Sequence, residues 1–267
     1  MPIPFYVVNS FTQQAFNGNP AAVCIMQSPT APNILQSIAA QNNLSETAFV
    51  WPVDNETYDI RWFTPTHEVS LCGHAPLAAA VVLFTTQTKV PQRLRFCTQT
   101  EGDLFLENIN GTVWMDFPLW EFQPANEHTA MIQDVLGFQP LDIQAGKDLL
   151  VVAPNEATVA EFNPCIERIA ALPYRGVIIT AQASPDSDYD FVSRFFCPQI
   201  GIDEDPVTGS THCMLVPYWA QKLGKNALKA KQLSARGGEL QCQLWPTRLK
   251  LGGTARLFSS GQIHLTE

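Results

Sequence analysis

Arg61-Trp-Phe-Thr-Pro-Thr-His-Glu-Val-Ser-Leu-Cys-Gly-His-Ala-Pro-Leu-Ala-Ala-Ala-Val-Val-Leu-Phe84 is the stretch whose reading decides the fold. Arg61 to Phe63 continue an alternating, strand-like run that starts near Thr57. Thr64 to Leu71 form a polar connection, and Cys72-Gly73-His74 make a tight turn. The Ala-rich run from Ala75 to Phe84 is too long and too good a helix former to be a strand. A helix that starts at a Gly turn aims unpaired N–H groups and the positive end of its dipole at whatever lies in front of it. Such a start is a place for a carboxylate or another anion, and Cys72 and His74 are expected at its mouth.

The same order recurs later. Arg61-Trp-Phe-Thr-Pro65 and Arg194-Phe-Phe-Cys-Pro198 share the pattern Arg-aromatic-Phe-x-Pro, and each runs through a polar connection to a Gly turn, at Gly73 and Gly209, and then into a helix. The second connection is three residues longer. A shared order of strand, loop, Gly and helix marks the two halves as homologous. Facing each other, two such halves would set two helix N-termini across one cleft, a favoured place for a small-molecule site.

Outward from these two motifs, the first half reads as strands at Phe5–Asn9, Ala21–Met26, Leu44–Val50 and Thr57–Phe63, with a helix from Pro32 to about Asn42. A meander follows at Leu94–Thr98, Asp103–Glu107 and Val113–Phe117, turned at Glu101-Gly102 and Asn110-Gly111. The boundary is placed at Trp120–Thr129, giving domains of residues 1–119 and 120–267, with the last strand free to return to the first. The second half reads as strand Leu149–Ala153, a helical stretch to Leu172, strands Gly176–Ala181 and Phe191–Phe196, and helix Cys213–Leu223 stopped by Gly224. Late strands follow at Gln232–Ala235, Glu239–Leu244, Arg248–Leu251 and Ala255–Phe258.

Composition narrows the function classes. Hydrophobic residues are 46% and charged ones 15%, enough apolar material for real cores. A formal charge of -9 with no basic run argues against nucleic acid and against an anionic membrane surface. No apolar run approaches the roughly 20 residues of a membrane span, and Met1-Pro-Ile-Pro-Phe5 lacks the form of a signal peptide. Seven scattered cysteines without a C-x-x-C pair fit free thiols in a reducing cytoplasm.

The sequence has no phosphate-binding loop, no G-x-G-x-x-G, no nucleophile elbow and no zinc-binding spacing around its five histidines. What remains is acid–base chemistry. Glu46 is the one charge in the run Leu44–Val50, and with His74, Asp205 and Ser210 it lies at a strand end or a helix start. A carbon-acid reaction needs such parts: a carboxyl or imidazole to move a proton, and fixed donors to hold an anion. Each residue also has an ordinary reading, as a surface carboxylate, a packed histidine, a turn aspartate and an N-cap serine.

Taken together, Asn17-Gly-Asn-Pro-Ala-Ala-Val23, Leu44-Ser-Glu-Thr-Ala-Phe-Val50, Leu71-Cys-Gly-His-Ala75, Met115-Asp-Phe-Pro118, Asp205-Pro-Val-Thr-Gly-Ser210 and Leu251-Gly-Gly-Thr-Ala255 resemble the PhzF-like phenazine-biosynthesis isomerase family, in order and over nearly the whole chain. The resemblance implies a diaminopimelate-epimerase-like α/β (α+β) fold of two similar domains, each a mainly antiparallel sheet wrapped around a central helix. It implies a cofactor-independent isomerase, typically a homodimer, that moves a proton between carbons of a small carboxylate such as trans-2,3-dihydro-3-hydroxyanthranilate. By motif, Glu46 looks like the general acid/base, and His74 and Asp205 like substrate-orienting groups. Ser210, with the N–H groups of Gly73, Gly209 and their neighbours, looks like the carboxylate cradle.

Pro76 and Thr211-His212 depart from the small or hydroxyl side chains more usual in the family, which implies a differently shaped pocket. The related racemases use two opposed cysteines. Cys72 stands where the first would be, the turn opposite has none, and Cys213 is a weak substitute. An epimerase or racemase with an altered cysteine pair, and a non-catalytic binding protein on the same scaffold, are the alternatives.

Overall fold

The computed structural model describes residues 2–69, 73–86, 92–99 and 102–265. The chain divides into two compact units, Met1–Asp116 with Leu251–Glu267, and Phe117–Lys250.

Unit 1 contains β1 (Ile3–Ser10), β2 (Asn19–Ile25), α1 (Pro32–Asn42), β3 (Glu46–Pro52), β4 (Thr57–Phe63), β5 (Glu68–Val69), α2 (His74–Thr86), β6 (Arg93–Cys97), β7 (Asp103–Ile109) and β8 (Thr112–Pro118), along which the chain leaves the unit. β1 pairs antiparallel with β2, β2 parallel with β3, and β3 antiparallel with β4. One edge of β4 is shared: Thr57–Asp59 pair in parallel with β6, and Trp62 and Phe63 pair antiparallel with β5. β6, β7 and β8 complete a meander. Its last turn is made by Asn110 and Gly111, both at positive φ (53° and 84°), the two-residue form whose twist suits a hairpin.

Unit 2 contains β9 (Gln123–Pro124), α3 (Thr129–Leu136), β10 (Asp142–Ala145), β11 (Leu149–Val152), α4 (Glu156–Glu161), α5 (Ile166–Ala170), β12 (Val177–Gln182), β13 (Phe191–Cys197), β14 (Ile202–Asp205), α6 (His212–Leu223), β15 (Ala227–Gln232), β16 (Gly238–Leu244) and β17 (Arg248–Gly253), along which the chain leaves it. The pairings repeat those of unit 1. β10 is antiparallel to β11, β11 parallel to β12, and β12 antiparallel to β13. β13 shares one edge between β15, in parallel, and β14, antiparallel. The final strand, β18 (Ala255–Ile263), belongs to unit 1, where it pairs antiparallel with β1 from Ile3↔Ile263 to Ser10↔Ala255.

α2 is apolar all round because it is buried all round, every residue from His74 to Phe84 except Val81. Its Leu, Val and Phe side chains each contribute about 1.5–3 kcal/mol by leaving water. α1 starts at Pro32, whose missing N–H costs nothing in a first turn, and ends at Asn43, which takes the left-handed conformation (φ 50°) and donates to the Ala39 carbonyl. α6 runs through Pro217, which cannot bond the carbonyl four residues back. That carbonyl, Cys213 O, accepts instead from the Trp120 N–H at 3.2 Å. Gly224 (φ 65°) closes the helix.

Several sequence expectations need correction. The helical stretch expected up to Leu172 is two short helices, α4 and α5, separated by Phe162 and Pro164. The strand expected at Gln232–Ala235 lies earlier, at Ala227–Gln232, where the buried alternate positions are Leu228, Ala230 and Gln232, only one of them a large apolar residue, and leave little apolar signal. The strand expected at Leu44–Val50 runs from Glu46 to Pro52. β5, β9, β10, β14 and α3 were not anticipated; β5 and β9 are two residues each, too short for any period to show.

Candidate active site

The first cluster lies in unit 1. Glu46 opens β3, and the parallel register sets it beside Ala21 of β2. His74 is the first residue of α2. Their side chains meet: His74 Nε2 is 2.9 Å from Glu46 Oε2, with only 4% and 13% of the two side chains exposed. The oxygen lies to the side of an in-line N–H direction, so the approach is close without being an aligned hydrogen bond. Such contacts commonly tighten only when substrate binds.

Two residues from the β1–β2 ladder, themselves paired, hold His74 in place. Ser10 Oγ donates to the His74 carbonyl at 2.7 Å, and Asn19 Nδ2 lies 3.2 Å from His74 Nδ1. Gly18, just before Asn19, sits at φ +72°, and a Cβ there would come within 2.2 Å of the Ser10 carbonyl oxygen, so only glycine closes this turn. Gly73 is buried immediately before α2. Cys72 lies outside the described residues.

The second cluster lies in unit 2, on the turn from β14 into α6. Asp205 is 7% exposed, and its Oδ2 accepts from Thr208 Oγ1 at 2.5 Å. Gln232, fully buried on β15, staples the turn from below: its Oε1 accepts from the Thr208 N–H at 2.9 Å, and its Nε2 donates to the Asp205 carbonyl at 2.7 Å. Ser234 Oγ donates to the Pro206 carbonyl at 2.7 Å. His212, in the first turn of α6, has Nδ1 at 2.8 Å from the Thr208 carbonyl, and burial pushes its pKa down to about 4, so the ring is neutral. Being neutral, it donates to that carbonyl from Nδ1.

Among the described residues, no hydrogen bond is made by the backbone N–H of Gly209, Ser210 or Thr211, nor by Ser210 Oγ. The start of this 12-residue helix therefore offers three backbone donors and a hydroxyl, the arrangement that binds an anion without a metal. Arg175 adds positive charge nearby. Burial works against its guanidinium, but hydrogen bonds to the Asp148 carboxylate at 2.8 and 2.5 Å outweigh this, with Cys197 and Asp205 contributing, and its pKa rises.

The structure thus joins Glu46 to His74, and joins Asp205, Gly209 and Ser210 in one turn. Sequence reasoning missed Ser10, Asn19, Thr208 and Gln232. Asn19 and Thr208 lay inside quoted motifs and gave a signal; Ser10 and Gln232 act from strands and gave none. Cys213, the weak candidate for a second thiol, is fully buried, and burial pushes its pKa up to about 12, which keeps it protonated and inert. Among the described residues, no three His, Cys, Asp or Glu side chains are grouped to hold a metal ion.

Residues 8–261 match the PhzC-PhzF family, phenazine biosynthesis-like protein. An uncharacterized isomerase of Pseudomonas aeruginosa is 45% identical over 267 residues, covering all of both chains. The chain belongs to the PhzC-PhzF family. A solved PhzF-family structure from Enterococcus faecalis superposes with a TM-score of 0.92 at 40% identity, covering 99% of this chain and 100% of that one. A hydroxyproline epimerase from Agrobacterium vitis shares the fold at a TM-score of 0.61 and 9% identity, covering 98% and 92%. The mixed α/β, strand-rich architecture is thus that of PhzF proteins and of the epimerases, and this family member has relatives named as isomerases.

Proposed function

We propose that this PhzF-family protein is a cofactor-independent isomerase in which Glu46 carries a proton between two carbons of a small carboxylate-bearing substrate. The observation that carries the reading is the Glu46–His74 contact at 2.9 Å, a carboxylate and an imidazole held together where both are nearly buried. The Glu46 carboxylate takes the proton from a C–H bond, and the electron pair left behind shifts through the adjacent double bond. The carboxylic acid so formed then returns the proton to the far carbon. Enzyme and proton count end as they began, and the double bond has moved. Asp205 orients the substrate, and Ser210 with the N–H groups of Gly209 and its neighbours holds the substrate carboxylate. A cyclic amino carboxylate such as trans-2,3-dihydro-3-hydroxyanthranilate suits these groups and is the first compound to try.

The test is proton NMR in deuterium oxide with that compound and a panel of cyclic and amino carboxylates. Glu46→Gln is expected to fold normally and to lose about 100- to 10,000-fold in turnover together with deuterium incorporation. Full turnover and full incorporation in Glu46→Gln would defeat the assignment.

The working form we propose is a homodimer in the cytoplasm. Supporting the dimer, β18 is solvent-exposed along nearly its whole length and carries Leu257 and Phe258, and Phe16 (71% exposed) packs edge-on against Phe258. A solution mass of twice 29.6 kDa that collapses to one chain in Phe258→Asp is the expected result. Six free cysteines among the described residues support a reducing compartment, and no described helix is long and apolar enough to cross a membrane.

A further inference from the structure

We propose that Asn19 is a positioning residue that fixes the tautomer of His74, keeping the ring neutral with its proton on Nε2 and so reserving the proton shuttle for Glu46. This deepens the proposed isomerase reading and rests on it for its catalytic meaning, but its structural content stands separately.

The Asn19 amide faces the His74 ring. Nδ2 carries hydrogens and no lone pair available to accept, so at 3.2 Å from His74 Nδ1 it can only donate. His74 Nδ1 must then present a lone pair. An imidazole with a bare Nδ1 is neutral and carries its hydrogen on Nε2. Nε2 is the nitrogen that faces Glu46 Oε2 at 2.9 Å. The hydrogen therefore sits on the ring nitrogen nearest the carboxylate, and although the approach is off-line, Nε2–H is the group His74 has available to donate to Glu46.

Two consequences follow for the chemistry. His74 cannot act as a base toward substrate through Nε2, because that nitrogen is already protonated. Nor is His74 a permanent cation, so what it offers Glu46 is an N–H donor and not a positive charge.

The fold supports this arrangement with more than one contact. Asn19 is fully buried and is the ladder partner of Ser10, whose hydroxyl holds the His74 backbone at 2.7 Å. One strand pair thus fixes both the main chain and the ring of the same histidine. The Gly18 turn that delivers Asn19 tolerates no side chain, since a Cβ would collide with Ser10 O at 2.2 Å and with Thr12 Cγ2 at 2.6 Å.

The experiment is nitrogen NMR of the ligand-free protein labelled with ¹⁵N-histidine, the His74 signals being assigned by their loss in His74→Gln. The expected spectrum has a pyrrole-type Nε2 and a pyridine-type Nδ1. Asn19→Asp sets a carboxylate oxygen against Nδ1, and is expected to move a proton onto Nδ1 and to lower kcat by about 10-fold or more. In Glu46→Gln the tautomer is expected to stay as in the wild type. A pyrrole-type Nδ1 in the wild-type protein, a doubly protonated ring, or a folded Asn19→Asp protein with an unchanged tautomer would each overturn the proposal. If Glu46→Gln keeps full activity, the isomerase assignment fails while the tautomer measurement stands on its own.

Discussion

The two units are built on one plan and differ where chemistry is placed. In each, an arginine on the shared-edge strand is clamped by a glutamate of the short strand that follows: Arg61 by Glu68 at 2.7 and 2.6 Å, and Arg194 by Glu204 at 2.7 and 2.9 Å. From each glutamate the same five steps lead to a glycine, Gly73 or Gly209, and then to the buried helix. The registers make further equivalences. Thr47 pairs with Ala22 and Phe63, and Val177 pairs with Leu149 and Phe196, so Glu46 corresponds to Gly176. In unit 1 this position carries a carboxylate; in unit 2 it carries no side chain. At Gly176 an added Cβ would meet the Phe195 ring at 2.5 Å. The repeated scaffold thus carries a carboxylate at this position in one copy and fills the matching space with an aromatic ring in the other.

The largest expected effect comes from forcing the copies to agree. Gly176→Glu puts a carboxylate and its stem where an aromatic ring already stands, and is expected to cost ~4 kcal/mol or to prevent folding. Urea unfolding measures it, and a loss below about 1 kcal/mol would show that the equivalent site has room.

The next effect follows from the helix starts, where unit 1 has Pro76 and unit 2 has His212 at corresponding positions. His212 is fully buried and its folded pKa of about 4 lies below the ordinary 6.5, because burial penalises the charged ring. The unfolded chain therefore binds the proton more readily. Stability is complete above pH 6.5 and falls as the pH drops toward 4, by up to about 3 kcal/mol from this group. His212→Gln is expected to flatten that slope in urea titrations between pH 4 and 7; an unchanged slope would assign the loss to other groups.

The arginine clamps test how alike the copies are in energy. Each guanidinium lies over the aromatic ring two residues on, Phe63 or Phe196, but Arg194 also donates to the Phe162 carbonyl at 2.5 Å, whereas Arg61 and its glutamate are more exposed. Arg194→Ala is expected to cost ~3 kcal/mol, by stranding Glu204 and that carbonyl. Arg61→Ala is expected to cost ~1 kcal/mol. Equal costs would mean that the added contacts contribute nothing.

Much of this plan was legible in the sequence because it is carried by local signals. The motif Arg-aromatic-Phe-x-Pro, the glycines before the helices and the Ala-rich run of α2 are each contiguous, and together they located the duplicated order and the two helix starts. Glu46 stood out as a lone charge in an apolar run. What was not legible depends on register and distance. Nothing in the sequence shows that Asn19 and Ser10 are ladder partners facing one histidine, or that Gln232, 24 residues beyond Thr208, returns to staple its turn. The strand that carries Gln232 was misplaced because its buried alternate positions are Leu228, a small alanine (Ala230) and a polar glutamine (Gln232), and burial of the last two is not written in their polarity.

In the proposed reading Glu46 moves the proton and Ser210 holds the anion, and one kinetic comparison tests that division most directly. With trans-2,3-dihydro-3-hydroxyanthranilate, or with whichever carboxylate of the panel shows solvent exchange, kcat and KM are measured for Glu46→Gln and Ser210→Ala side by side. Glu46→Gln is expected to lower kcat by about 100-fold or more with KM nearly constant. Ser210→Ala is expected to raise KM about 10-fold, the worth of one hydrogen bond to a charged group, with kcat nearly constant. The reverse pattern, or a Glu46→Gln enzyme that still exchanges solvent deuterium into its substrate at the wild-type rate, would contradict it.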